Sequence, residues 1–210
     1  MARVVWTGMP PSRRGPPAQM ARPPIVGWAQ TNPASYVREA DLVVAAMTRV
    51  ARARPDVTLR LWDRGMGEAA AEAALLARLR GAGVAVDWRG RLSYRAYLSS
   101  LDDVAVGLAP LAPETPFSRG KSFGKVLAYL DRGVPVVASP AGEHPRFFTP
   151  ETGLAATGAD DWSAAILRLL GDAARRETMA RAGRGAFCRR LTSDAAAARV
   201  AALLEEVRAR

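Results

Sequence analysis

This 210-residue chain has few of the side chains that usually build reactive sites: one cysteine, one histidine and two lysines. The single cysteine, Cys188, excludes an internal disulfide framework and is typical of a protein from a reducing compartment. The histidine, His144, lies far from it along the sequence, which excludes a zinc site built from cysteine and histidine in the usual way. We expect Cys188 to be a small packed side chain on a helix rather than a nucleophile.

Long apolar segments are also missing. No run approaches the roughly 20 residues that cross a bilayer, and the N-terminus lacks the apolar core of a signal peptide. We therefore expect a cytoplasmic location. The net charge is +10, but the arginines are spread along the whole chain without a block of five like charges, so no specific nucleic-acid surface is predicted. Contact with acidic lipid at the inner face of the membrane remains compatible with this charge.

The sequence does contain a regular alternation of short apolar strands and longer helices. Strands are predicted over residues 25–28, 57–62, 84–87, 104–108, 134–138 and 154–157. Helices are predicted over residues 36–53, 68–80, 93–101, 121–131, 160–170, 172–190 and 193–208. This order predicts an α/β fold: a Rossmann-like, mostly parallel six-stranded sheet with helices on both faces and a helical C-terminus. Residues 1–24 are rich in proline and are expected to form a linker or a surface-clinging arm, poorly ordered or borrowed by a neighbour, with residues 25–210 as the folded domain.

The two lysines, Lys121 and Lys125, are notable because the other 28 basic residues among the 30 are arginines. They lie four residues apart at the predicted start of a helix, where unpaired N–H groups and the helix dipole attract anions. Arg119 and Ser122 add a guanidinium and a hydroxyl beside them. The group predicts an anion site that suits a diphosphate. The alternative is that two solvated lysines lie close together by chance.

Ligands of parallel sheets bind beyond the carboxyl ends of the strands. Three predicted loops leave those ends, over residues 28–35, 109–120 and 139–144. In the last loop, small residues up to Gly142 permit close approach of a ligand. His144 either faces that ligand or is exposed to solvent without a role. We expect an open cleft with Trp28 and His144 near its rim.

The segment from Lys121 to Ser139 reads Lys-Ser-Phe-Gly-Lys-Val-Leu-Ala-Tyr-Leu-Asp-Arg-Gly-Val-Pro-Val-Val-Ala-Ser. It resembles the nucleotide-sugar segment of group 1 glycosyltransferases of the GT-B fold, in which a lysine-bearing helix, a glycine, Pro-Val-Val and a small-residue loop follow in this order. Residues 59–67, 88–106 and 172–186 resemble neighbouring parts of that family. The resemblance covers about residues 24–208 and implies the C-terminal, nucleotide-sugar-binding half of a GT-B protein.

The resemblance implies a donor site for a UDP- or GDP-sugar, with no cofactor and no metal ion. Its diphosphate is expected at Lys121, Ser122 and Lys125, with Arg119 nearby. In the family, a basic residue early in the first helix often contacts the diphosphate, and Arg38 is the nearest candidate here. The loop that contains Gly142 and His144 is expected to lie against the same ligand.

This sequence departs from the family in two ways. Many members carry two glutamates, the second of which commonly binds the donor ribose, and these positions are Gly120 and Ala128 here. The chain also resembles only one half of a GT-B enzyme, although residues 4–10 resemble the end of the N-terminal half, which usually supplies the acceptor groups. We expect glycosyl transfer that needs an N-terminal half, so that this sequence is either a fragment of a longer enzyme or one half of a split enzyme whose other half is a separate chain. The alternative is a catalytically inactive donor-binding or interaction domain.

Overall fold

The computed structural model describes residues 7–121 and 124–209, except for the side chain of Arg119. Within this range the strands are β1 Ile25–Ala29, β2 Thr58–Trp62, β3 Ala85–Arg89, β4 Val104–Ala109, β5 Val136–Ala138 and β6 Gly153–Ala155. The α-helices are α1 Val37–Ala53, α2 Ala69–Gly81, α3 Tyr94–Ser99, α4 Pro116–Arg119, α5 Gly124–Asp131, α6 Ala159–Gly171, α7 Ala173–Arg190 and α8 Ser193–Arg208. Short 3-10 turns occur at Gln19–Ala21, Pro33–Ser35 and His144–Arg146.

The six strands form one sheet in the order β3-β2-β1-β4-β5-β6. Every neighbouring pair is parallel. The predicted Rossmann-like sheet is therefore confirmed. The order of the strands reverses between β1 and β4, so the chain leaves these two adjacent strands in opposite directions. The carboxyl ends of β1 and β4 thus open a crevice, which is where open α/β sheets bind ligands.

Helices cover both faces of the sheet. On one face, α1, α2 and α6 contribute Met47, Leu79 and Ile166 to a buried cluster that also contains the apolar side chains of β1 and β2. On the other face, α3 and α5 pack over Val104 and Val136, and α7 covers α5 through Phe187. Burial on both faces explains why β4 and β5 read as continuous apolar runs rather than as alternating patterns.

A buried tyrosine on α5, Tyr129, ties that helix to the centre of the sheet. Its hydroxyl donates to the Gly27 carbonyl at 2.8 Å and accepts from the Ala29 N–H at 2.9 Å. A Cβ at Gly107 would lie 3.0 Å from the Tyr129 ring, so β4 requires a glycine there. The start of the crevice is therefore held in place by α5, the helix that contains Lys125.

The segment around the lysines differs from its predicted structure. The helix predicted from Lys121 begins at Gly124, so Lys121 precedes α5. The predicted loop over residues 109–120 contains the short helix α4, whose first residue is Pro116. Proline suits the first turn of a helix because its fixed φ angle is already helical. Pro116, inside the predicted loop, therefore starts a helix.

The described part of the N-terminal segment, residues 7–24, packs against the domain. The Gln19 side chain is fully buried, and its amide donates to the Gly133 carbonyl. The buried Arg22 guanidinium donates to the carbonyls of Val104 and Arg132, both at 2.7 Å. These bonds agree with an arm that lies against the domain surface, whereas the expectation of poor order is wrong for these residues. Proline-rich composition does not show which polar groups of the domain will form hydrogen bonds with the segment. A domain boundary at residue 24 stays a prediction.

Residues 8 and 9 run alongside the short connection between α7 and α8. Met9 forms an isolated parallel β-bridge with Thr192. The contact is so close that a Cβ at Gly8 would lie 2.4 Å from the Thr192 carbonyl oxygen. A side chain at position 8 is therefore incompatible with this contact.

Two further expectations concern α7 and the membrane. Cys188 on α7 is exposed, so the prediction of a packed side chain is wrong. Among the described residues, no helix has both the length and the apolar character required to cross a bilayer.

Candidate functional site

The candidate site lies where the chain leaves β1, β4 and β5, at the crevice of the sheet. A small cavity of about 30 Å³ there is lined by Trp28 of β1, by Leu111 after β4, by both lysines and by His144. Three segments far apart in the sequence thus meet at one point, as the three predicted loops require.

Lys121 and Lys125 converge on the ring of Tyr36, the residue before α1. Lys121 Nζ lies 3.6 Å from the ring centroid and Lys125 Nζ lies 5.4 Å from it. An ammonium group at this distance over an aromatic face is attracted by the ring's electron distribution. The two lysines therefore lie on one surface, as predicted, although Lys121 is outside the helix.

Partial burial changes the protonation of both lysines. Burial lowers the pKa of Lys121 to about 8, and the negative charge of Glu39 opposes this change. Burial and the positive charge of Lys121 lower the pKa of Lys125 to about 7, again against the effect of Glu39. Two ammonium groups with lowered pKa values form a site that a bound anion would stabilise strongly, because the anion would offset both the burial and the mutual repulsion.

Glu39, in the first turn of α1, is a buried carboxylate at this site. Its Oε1 accepts from the Ser118 hydroxyl at 2.8 Å and from the Ala112 N–H at 3.3 Å. These bonds join α1 to the segment that precedes the lysines. Glu39 therefore fixes that segment and supplies one negative charge near two positive ones, which leaves the site with an excess of positive charge.

His144 and Trp28 are buried, with 6% and 2% of their surfaces exposed, so the prediction that they lie at the rim of a cleft is wrong. His144 Nδ1 lies 3.1 Å from the Ser139 carbonyl oxygen, which can only accept a hydrogen bond. This assigns the proton of the neutral ring to Nδ1 and leaves Nε2 as an acceptor. Burial lowers the pKa of His144, the bond to Ser139 opposes this, and the charge of Lys121 lowers the pKa further.

Gly142 lies against the backbone of the lysine segment. Its φ angle is +57°, in the left-handed region that favours glycine. A Cβ at this position would lie 3.4 Å from Leu111 and 3.9 Å from the Lys121 carbonyl oxygen. The loop after β5 therefore turns tightly beside Lys121, and the close approach of a ligand to this loop stays a prediction.

Of the three remaining predicted residues, only Arg38 has a described side chain, and it does not join this cluster. Arg38 is exposed and pairs with Glu114 at 2.8 Å, in the segment between β4 and α4. Its guanidinium lines neither this cavity nor the one described next. Arg119 ends α4, but its side chain lies outside the described structure, and Ser122 lies outside the described residues.

A larger cavity of about 450 Å³ adjoins the small one and shares Lys125 with it. Ala128 lines this cavity, so the position where the family commonly has a glutamate presents only a methyl group. Asp63, which follows β2, lies on the same wall and is 2% exposed. Its Oδ1 accepts from the Gly65 N–H at 2.8 Å, whereas Oδ2 is buried without a hydrogen-bond partner in the described part of the chain. The cavity therefore combines an ammonium, a carboxylate and apolar surface, as many binding sites for polar small molecules do.

Another groove, of about 810 Å³, lies between residues 10–14 and α3. Its buried arginine, Arg132, already bonds to Asp102 and donates to the Arg14 carbonyl at 2.8 Å. The buried positive charge of Arg132 therefore has a carboxylate partner within the protein, whereas the two lysines at the crevice share an aromatic ring.

Sequence reasoning missed Tyr36, Glu39 and Asp63. Tyr36 and Glu39 flank Arg38, the candidate named from the resemblance, and Asp63 lies within residues 59–67, which resemble the family but were not predicted to line the site. A signal was present, because all three lie just beyond the ends of β1 and β2, where side chains reach the crevice. The contacts of Tyr36 and Glu39 with residues 112–125 depend on the adjacency of β1 and β4, which local patterns do not encode.

Comparison with known proteins places these features in a family. The model of the family described as "Glycosyl transferases group 1" matches residues 23–172. A search of curated protein sequences gave no significant match.

Several solved structures share the fold. Sucrose-phosphate synthase from Thermosynechococcus elongatus is 22% identical with a TM-score of 0.76, over 99% of this chain and 53% of that one. Anabaena HepE, solved in complex with UDP and glucose, is 20% identical with a TM-score of 0.70, over 88% of this chain and 49% of that one. The C-terminal domain of the group 1 protein LpcC from Francisella tularensis is 14% identical with a TM-score of 0.65, over 88% of this chain and 96% of that one.

The lengths of these matches define what the chain corresponds to. It spans about half of the synthase and HepE chains but nearly all of the isolated C-terminal domain. The fold is therefore that of one half of a GT-B protein, the C-terminal one.

Proposed function

Because this chain belongs to the group 1 glycosyltransferase family, we propose that it binds a nucleoside-diphosphate sugar, a UDP- or GDP-sugar, for glycosyl transfer. The observation that carries this proposal is the pair of half-buried lysines, Lys121 and Lys125, over one aromatic ring at the sheet crevice. The diphosphate is proposed to bind between their ammonium groups. The rest of the donor extends into the adjoining cavity of about 450 Å³, which shares Lys125.

The proposed chemistry follows from charge. Glycosyl transfer releases a nucleoside diphosphate, so negative charge grows on the phosphate oxygens as the bond to the sugar breaks. Ammonium groups fixed beside those oxygens stabilise this charge best where water is partly excluded. Binding a diphosphate would also raise the pKa of both lysines, since it replaces repulsion between them with attraction to a shared anion. Metal-free donor binding is part of this proposal.

Transfer also requires an acceptor held against the sugar carbon. We propose that an N-terminal GT-B half supplies it, either as another part of the same protein or on a separate chain. The match to only about half of the synthase and HepE chains supports the need for such a half, and a GtfA/B complex among the neighbours, 17% identical with a TM-score of 0.70, is an example of partner chains. The second candidate is a donor-binding domain without turnover, which Ala128 and Gly120 favour because neither provides a carboxylate. A cytoplasmic location, with peripheral contact to an acidic membrane surface, also stays a prediction.

Titration calorimetry with UDP and GDP tests donor binding. The wild type should bind at least one of them, and Lys125→Ala should weaken binding by about ten- to a hundredfold, the loss of a hydrogen bond to a charged group. Arg78→Ala is the control, because Arg78 is exposed and pairs only with Asp41 among the described residues. A wild type that binds neither nucleotide, or a Lys125→Ala variant that binds as the wild type does, would rule out the assignment.

The two candidate functions, glycosyl transfer and donor binding without turnover, differ in whether the nucleoside diphosphate is released from the donor. UDP release from UDP-glucose, or GDP release from GDP-mannose, should require both this chain and a co-expressed N-terminal half. Donor binding without release, in the presence of a half that binds this chain, would favour the binding domain.

A further inference from the structure

One aromatic ring contacts both lysines of this chain. The ring of Tyr36 lies 3.6 Å from Lys121 Nζ and 5.4 Å from Lys125 Nζ, measured to its centroid. Both distances are within the range of about 6 Å over which a ring face attracts an ammonium group. The two ammonium groups repel each other, so a shared attractive surface between them has an electrostatic role.

A carboxylate would hold these lysines more strongly, but it would also compete with an anionic ligand. Glu39, which acts on both lysines, uses Oε1 to bond the Ser118 hydroxyl and the Ala112 N–H. The Tyr36 ring carries no net charge, so it attracts the ammonium groups without neutralising them. It therefore suits a site that must hold two cations close together and still present them to an anion.

The ring is itself held in position. The Tyr36 carbonyl accepts from the Ala40 N–H at 2.7 Å and so begins the hydrogen-bond pattern of α1. Phe117 of α4 lies 6.0 Å from Tyr36 between ring centroids, at 50° between the ring planes. The Phe117 ring is also 5.6 Å from Lys121 Nζ. Lys121 thus contacts two rings from different elements, whereas Lys125 contacts Tyr36.

We propose that Tyr36 is a positioning residue that holds the ammonium groups of Lys121 and Lys125 together over its ring, so that they meet a diphosphate as a pair. The inference rests on the proposed function. It assigns Tyr36 a role through the lysines and requires no direct contact between Tyr36 and the ligand.

The scarcity of lysine makes this testable by NMR. Protein labelled with carbon-13 at the lysine ε positions gives two ε-methylene signals, one for each lysine. In the wild type, the ring should shift the Lys121 ε protons upfield. Tyr36→Phe should keep this shift and Tyr36→Leu should reduce it. Val37→Ala, at an exposed neighbour at the start of α1, controls for disturbance of the backbone.

Calorimetry with UDP and GDP on the same variants measures the consequence. Tyr36→Leu should weaken nucleotide binding by about two- to thirtyfold, the range of a cation–π contact. Tyr36→Phe and Val37→Ala should bind as the wild type does. The rescue by phenylalanine assigns the effect to the aromatic face rather than to the hydroxyl.

The outcomes separate this inference from the proposed function. If the wild type binds a nucleotide and Tyr36→Leu binds it with the same affinity, the positioning role is overturned and the proposed function is not. Unshifted Lys121 signals in the wild type overturn it too, even if Tyr36→Leu does not fold. A Tyr36→Phe variant as weak as Tyr36→Leu also contradicts it. A wild type that binds neither nucleotide removes the proposed function and this inference together, whatever the lysine signals show.

Discussion

The affinity for a nucleoside diphosphate should fall as the pH rises from 7 to 8, because the lysines at the crevice lose protons in this interval. The pKa is about 7 for Lys125 and about 8 for Lys121 in the ligand-free protein. Bound phosphate favours the charged amines, so binding must protonate any lysine that is neutral. Above the pKa of each lysine in the ligand-free protein, the affinity therefore falls as the pH rises. Below that pKa, the protonation of that lysine changes the affinity little.

The size of the effect follows from the protonated fractions. From pH 7 to pH 8, the protonated fraction of Lys125 falls from about a half to about a tenth, which weakens binding about fivefold. The protonated fraction of Lys121 falls from about nine tenths to about a half, which adds a factor of about two. Together they predict a loss of about tenfold, or about 1.4 kcal/mol.

Calorimetry with UDP and GDP at constant ionic strength measures this loss. The interval lies above the second ionisation of a terminal phosphate, near pH 6, so the ligand changes little within it. His144, the other titratable group affected by Lys121, has a lowered pKa and is neutral throughout. Lys125→Met should bind more weakly at pH 7 and keep a pH effect of only about twofold, from Lys121. A wild-type affinity that is flat from pH 7 to 8, or a Lys125→Met variant with the full tenfold change, would refute the reasoning.

Three further predictions concern the framework of the site. Tyr129→Phe leaves the buried Ala29 N–H without its acceptor and should lower the free energy of unfolding by about 1–3 kcal/mol, and an unchanged urea midpoint would contradict this. Gly142→Ala, at a positive φ angle, should cost about 1–2 kcal/mol. In the same urea assay, Gly15→Ala, where a Cβ has open space, should be nearly neutral, and equal losses would contradict the strain argument. Limited proteolysis should spare residues 7–24 in the folded protein, and rapid cleavage within them would contradict their packing.

The fold was predictable because its signals are local. Apolar strands of three to six residues alternate with helices, and that order alone favours a parallel sheet covered on both faces. The boundaries near the lysines were less predictable. Pro116 occurs equally well in a loop and in the first turn of a helix, and only the three-dimensional path of the chain decides between them.

The site was predictable only in part. The rarity of lysine drew attention to Lys121 and Lys125, and their convergence did not depend on the predicted helix. Their partners, Tyr36 and Glu39, lie some 80 residues earlier and reach them because β1 and β4 are neighbours. The burial of His144 was missed for a similar reason, since the cavity that it lines is also formed by residues of β1, β4 and α5, which lie outside its own loop.

The bridge between Met9 and Thr192 has a mechanical consequence. The backbone N–H of Met9 donates to the Leu191 carbonyl, and the Met9 carbonyl accepts from the Ser193 N–H. Two backbone hydrogen bonds thus join Met9 to the residues at the start of α8, and the contact leaves no room for a side chain at Gly8. This bridge therefore fixes the path by which the chain enters the domain, because residues 8 and 9 can run only beside the start of α8.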